Sequence, residues 1–293
     1  MCIVCFPCRI YSRSMQQGII PREFYIGRYI YLTDMLNSIP KVSFNKNEGQ
    51  VVIAVVTTDP VTGRVIKRRI SPKSREWEHY RDIAVKRQSL KDQYKKIMAN
   101  WSRDYHGSLA ALSEEYELRP NIKNVFSSKL WESFCTGECT AEKKKRFSHN
   151  GLILRSQFEA DAAEILELLG IEYKYDICIK TRTGDELYPD FAMNFPEYNR
   201  CGFLEMLGLL GYTYYVNDNA EKFSKYISIG LYPNRDIAFV SADGNYRPEH
   251  DTIRRIIGTV VDSIARQHVV KKGFKEVENE GKAILTFKEG WSV

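Results

Sequence analysis

The sequence predicts an α/β protein: a mixed central sheet flanked by helices (α-β-β-β-α-β core), preceded by a basic α+β region containing a long helix. Three observations predict it. Two β-branched runs flank a Pro/Gly turn near residue 60, a long stretch from residue 74 carries apolar residues at helical spacing, and from Leu152 onward helical and strand patterns alternate between capping residues. A chain of 293 residues, 43% hydrophobic and 27% charged, can bury a substantial core as one large domain or two ordinary ones. The division falls near residue 150, close to the basic run Lys143-Lys144-Lys145-Arg146, separating a basic region (1–150) from a second domain (151–293).

In the first region, the runs Val51–Val56 and Val65–Ile70 around Asp59-Pro60 and Gly63 read as a hairpin, and Ser71-Pro72 supplies a helix start. The helix that follows places Trp77, Tyr80, Ile83, Leu90, Tyr94, Ile97 and Trp101 on one stripe over roughly seven turns. Such a stripe packs against a core or a partner helix, and self-association through residues 74–105 is one expectation. Between Arg64 and Arg103 thirteen bases face four acids, a local excess of +9 in a chain whose net charge is +6. An excess of that size attracts phosphate backbones, and equally describes a solvated helix face. Lys67, Arg68, Arg69, Lys86, Arg87, Lys95 and Lys96 are its candidate nucleic-acid contacts. No base-reading module accompanies them, so they would position rather than specify.

In the second region, Ser156 caps a helix that Gly170 stops, with Phe158, Ala162, Ile165, Leu166 and Leu169 on its apolar face. Strands are expected over 171–180, 187–194 and 201–207, then a helix over 219–229, a strand over 236–241 and a last helix over 248–266. The turn between the first two strands falls at Thr183-Gly184-Asp185.

No apolar run reaches the roughly 18–20 residues of a membrane span. The opening residues lack the basic start and small-residue cleavage site of a signal peptide, and Met15 is a second candidate start. A cytoplasmic protein with reduced thiols is expected. Cys2, Cys5 and Cys8 at C-x-x-C spacing, and Cys135 and Cys139 with His149 downstream, are the places a zinc site could form. Ordinary free cysteines are the default. No Gly-rich phosphate loop and no Ser/His/Asp or Cys/His set stands out.

Three carboxylates lie where chemistry can use them. Glu159 is in the first turn of a helix, Asp190 follows Pro189 in a strand, and Glu205 sits inside the run Cys201-Gly202-Phe203-Leu204-Glu205-Met206-Leu207. A glutamate early in a helix suits the macrodipole, so Glu159 alone says little. A carboxylate in an apolar strand is costly without compensation, and either a metal ion or an Arg or Lys partner would explain Glu205. A phosphodiester hydrolase needs hard oxygen ligands for Mg2+ or Mn2+ held rigidly, as strand carboxylates are. Tyr212, Tyr214 and Tyr215 form an aromatic cluster nearby that packs or lines a substrate groove.

This order of Glu159, Pro189-Asp190 and Glu205 resembles the PD-(D/E)XK, or restriction-endonuclease-like, nuclease superfamily over about residues 152–262. The resemblance implies an Mg2+- or Mn2+-dependent endonuclease acting on nucleic acid, DNA more than RNA. It implies Asp190 and Glu205 as metal ligands, with Glu159 in support and the Met206 carbonyl facing the ion. Leu207 stands where the superfamily carries its water-orienting lysine, and leucine cannot do that work. In some branches the lysine has moved to the following helix, which makes Lys222 the first candidate here and Lys225 the second. The alternative is a catalytically degenerate scaffold that only binds nucleic acid or serves in assembly.

Overall fold

A computed structural model of the chain describes residues 20–47, 49–119, 126–136, 147–149, 151–180, 184, 186–243 and 246–273. Met15, Cys2, Cys5, Cys8, Cys139, the basic run 143–146, Thr183, Asp185 and the His149 side chain lie outside them. The chain is a mixed α/β protein. Its central sheet has four strands, β4 (Glu172–Tyr175), β5 (Phe191–Phe195), β6 (Arg200–Leu207) and β7 (Ile237–Ser241), in the order β7-β6-β5-β4. β5 runs antiparallel to β4 and β6, and β7 runs parallel to β6. A parallel neighbour requires a crossover, which the helix Thr213–Ser228 supplies.

Before the sheet lies a second, three-stranded one, β1 (Lys41–Asn47), β2 (Gln50–Thr58) and β3 (Val65–Ile70). The expected hairpin is β2-β3; β1 went unread because its polar residues Ser43, Asn45, Lys46 and Asn47 obscure any apolar alternation. The helices are α1 (Arg22–Ser38), α2 (Trp77–Asp104), α3 (Gln157–Leu169), α4 (Thr213–Ser228) and α5 (His250–His268). No helix among the described residues is long and apolar enough to cross a membrane.

Ser156 caps α3 through its side chain, and Gly170 ends it at φ 70°, a left-handed geometry suited to glycine. The expected strand over 171–180 is broken at Asp176, whose φ of 50° separates β4 from the short strand Ile177–Lys180. The second expected strand is also split, so Asp190 immediately precedes β5 rather than lying within a strand. Helix α4 begins six residues before the expected start, because the aromatic entry Thr213-Tyr214-Tyr215 is helical.

The apolar stripe of α2 is used within the chain. Trp77, Tyr80 and Ile83 pack on the three-stranded sheet, whereas Leu90, Tyr94, Ile97 and Trp101 join the main core. That core unites α1 and α2 with α3, α5 and one face of the central sheet, so it runs across the boundary expected near residue 150. The C-terminal end of α3 shows why. Arg28 donates to the Gly170 carbonyl at 2.7 Å, Lys96 to Glu167 at 2.8 Å and Asn100 to Leu168 at 2.7 Å. Three side chains from α1 and α2 thus donate to carbonyls at the end of α3, where Glu167 also accepts the Gly170 N–H, and two of them are cations suited to the negative pole.

Arg28 also pairs with buried Glu197 at 2.5 Å, joining α1 to the β5-β6 connection. Burial raises the Glu197 carboxyl above its usual range, while Arg28 pulls it down. Beside this pair, Gly27 lets α1 approach Tyr198: a Cβ there would stand 2.2 Å from the Tyr198 hydroxyl and 2.8 Å from its ring. Tyr198 is fully buried and cannot swing aside. Gly27→Ala therefore loses more to overpacking, about 1–3 kcal/mol, than the roughly 1 kcal/mol that alanine returns in helix propensity. The expected result is a lower urea midpoint at unchanged slope, with a gain in midpoint counting against this contact.

Candidate active site

Strand β6, buried but for Leu207, divides its side chains between two cores. Leu204 and Met206 join the core under α3 and α5, while Cys201 and Phe203 join a second one with Tyr226 of α4. Strand alternation then turns Glu205 toward α4. The pairing of Phe191 with Leu204 sets Asp190 opposite Glu205 across the mouth of the β5-β6 ladder. Glu159 enters from the first turn of α3, and the three carboxylates line one cleft of about 580 Å3 together with Met206 and Lys222.

All three carboxylates are buried, and each has a donor. Asp190 pairs with Arg155 at 2.5 Å and accepts the Met206 backbone N–H at 2.7 Å. Glu205 pairs with Lys222 and accepts the Tyr226 hydroxyl at 2.8 Å. Glu159 accepts the Tyr175 hydroxyl at 2.6 Å and the Arg155 backbone N–H at 2.9 Å. Burial first, then the carboxylate each faces, raises the phenols of Tyr175 and Tyr226, so both act as donors. Burial works against the charge on Arg155, but Asp190, Tyr175 and Glu159 outweigh it and hold the guanidinium charged. Asp190 itself is raised well above the usual carboxylate range, by burial and then by Glu205, with Lys222 and Arg155 only partly offsetting them. Around Asp190 itself, burial and an excess of negative charge outweigh its two neighbouring cations, Lys222 and Arg155.

That excess is what a divalent cation would neutralise. Asp190, Glu205, Glu159 and a strand carbonyl are oxygen donors of the type Mg2+ and Mn2+ prefer. The N–H and C=O of one strand residue point the same way, so the Met206 carbonyl turns with its N–H toward the Asp190 side. Among the described residues no three of His, Cys, Asp and Glu group closely enough to hold an ion by themselves. Mg2+ commonly uses only one or two carboxylates and keeps several waters, so the donor chemistry fits.

Of the two lysines, Lys222 reaches the cleft; Lys225 lines a separate surface hollow with Ala220 and Glu221. Leu207 and Glu205 share one face of β6, so a lysine from α4 comes to the side a strand lysine would have occupied. Tyr215 lines the cleft, whereas Tyr212 and Tyr214 are exposed.

The basic segment is less free than its charge suggests. Arg87 donates to the carbonyls of Leu36 and Ile39 at the end of α1, and Lys96 to that of Glu167. Both side chains thus serve local structure as donors at the ends of neighbouring helices, and Lys96 stays exposed. Arg68 pairs with Glu76 at 2.8 Å, Arg69 donates to Asn47 and Lys95 stands 3.5 Å from Asp92, while Lys67 and Lys86 are exposed. Cys135 is an exposed free thiol and Cys201 a buried one.

Sequence reading missed Arg155, Tyr175, Tyr226 and Arg247. Tyr226 could have been found, since Tyr215, Asn219, Lys222 and Tyr226 recur at spacings of four, three and four along one helix face. Arg155 carried no such signal. Comparison of the chain with protein-family models, with curated proteins and with solved structures finds no match.

Tyr226→Phe leaves one oxygen of buried Glu205 without its donor, at a cost of about 1–3 kcal/mol. Chemical denaturation would read this as a lower midpoint; an unchanged midpoint would show that Lys222 alone satisfies Glu205.

Proposed function

We propose that this chain is a metal-dependent nuclease of the PD-(D/E)XK kind, an Mg2+- or Mn2+-dependent endonuclease hydrolysing phosphodiester bonds, with DNA favoured over RNA. One observation carries this reading: Asp190, just before β5, and Glu205 of the adjacent strand β6 share a cleft with Glu159, and Lys222 crosses from α4 to pair with Glu205. In it Asp190, Glu205 and the Met206 carbonyl hold the ion, and Glu159 supports them by way of Tyr175 and the Arg155 backbone. The ion, when bound, supplies Lewis acidity and charge neutralisation at the phosphate. Lys222 orients the attacking water, taking the part that Leu207 cannot. Arg155, ion-paired with Asp190 at the cleft wall, is placed to receive a phosphate oxygen. A cytoplasmic setting belongs to this proposal.

A second reading, a degenerate scaffold that binds nucleic acid or assembles without cutting, draws on Leu207 and on carboxylates already paired with Arg155 and Lys222. Cleavage of plasmid, single-stranded DNA and RNA in Mg2+ and Mn2+ separates the two. The nuclease reading expects metal-dependent cutting that is abolished in Asp190→Ala and lowered about 10²–10⁴-fold in Lys222→Ala. Lys225→Ala should cut within about twofold of the wild type, well inside that range. Absence of cutting on every substrate, together with no heat of Mn2+ binding in calorimetry, is the result expected of the degenerate scaffold.

A further inference from the structure

Besides Glu159, Asp190, Glu205 and Met206, the cleft is lined by side chains that the ion-holding role does not use. Tyr188, 41% exposed, and half-buried Tyr215 line it from two different elements, the approach to β5 and the first turn of α4. Tyr212, Tyr214 and Tyr246 are exposed close by in sequence to the cleft residues Leu209, Tyr215 and Asp243. Single exposed aromatics need no explanation, but two lining one cleft from different elements offer faces on which a planar ligand can stack.

Arg247 also lines the cleft. It is ion-paired with Asp161, a buried carboxylate that further accepts from Gln157 at 3.0 Å, yet its side chain stays 46% exposed. A buried anchor holds this guanidinium in place while leaving part of it open to a ligand. The cleft therefore combines aromatic faces with three cations, Arg155, Lys222 and Arg247.

Its size matters too. About 580 Å3 lies in the range of small-ligand clefts, roughly 300–1,000 Å3, and suits a nucleotide-sized segment rather than a duplex laid across it.

We propose that the cleft takes a single-stranded nucleic-acid segment, its unstacked bases lying on Tyr188 and Tyr215 and a backbone phosphate contacting Arg247. The proposal rests on the nuclease reading for its biological sense. Its chemistry is independent of cutting, because stacking on tyrosine requires bases free of a duplex and requires no metal.

The test is fluorescence anisotropy of the full chain in EDTA. The probes are labelled oligothymidylate of about twelve nucleotides, within the usual range of single-strand site sizes, an abasic strand of equal length, the matching duplex and oligouridylate. Single strands with bases are expected to bind most tightly, the tighter of the thymidylate and uridylate strands assigning the sugar. Tyr188→Ala and Tyr215→Ala should each weaken oligothymidylate about 5- to 150-fold and leave the abasic strand unchanged, with Tyr215→Phe restoring affinity. Arg247→Gln should weaken both strands alike and reduce the salt slope by about 0.7. Duplex binding as tight as single strand, tyrosine variants that bind like wild type, or no binding of any probe would each overturn the proposal. Tyrosine-dependent binding without cleavage in any metal would overturn the nuclease reading alone; cleavage with tyrosine-independent binding would overturn this one alone.

Discussion

Three carboxylates buried at the end of one sheet must be compensated, and much of the local architecture answers that demand. An unpaired ionised carboxylate in a protein interior costs several kcal/mol, more than most single contacts return. Arg155, placed just before the cap of α3, reaches Asp190 and lies 3.7 Å from both Glu159 and Asp176. The break at Asp176 belongs to the same arrangement, since its backbone N–H donates to the Asp190 carbonyl at 2.8 Å. From the other side, α4 brings Lys222 and Tyr226 onto Glu205, one turn apart on a helix that buries little else.

The compensation is incomplete because of where the β5-β6 register places two acids. Antiparallel pairing sets Asp190 across from Glu205 at a separation where like charges repel, and burial prevents water from screening them. Lys222 and Arg155 leave the Asp190 carboxyl raised, by burial first and by the Glu205 charge second.

The N-terminal helices bear on this chemistry without touching it. Arg28, Lys96 and Asn100 hold the C-terminal end of α3, whose first turn delivers Glu159. Tyr25 and Arg254 both reach Asp104 at 2.5 Å, tying α1, α2 and α5 together behind the sheet. Residues expected to grip phosphate therefore partly serve as structural ties, and the two regions share one core.

Local signals made most elements legible. Ser156 and Gly170 bracket α3 because capping is decided within a few residues, and the apolar run of β6 declares a buried strand in the same way. Glu205 was conspicuous because nothing in its immediate sequence could pay for its charge. Strand β1 was hidden by its polar composition, and the early start of α4 by its cluster of aromatic residues. The sequence by itself determined the α/β class, the order of the later elements and the three acidic residues, all consequences of short-range periodicity and capping. Only the tertiary structure decided that Arg155 and Tyr175 stand among those acids, that Lys222 rather than Lys225 faces them, and that Arg87 and Lys96 donate to carbonyls at the ends of α1 and α3. Those outcomes depend on strand register and on which face of each helix meets its neighbour, which are set by contacts between residues far apart in the chain.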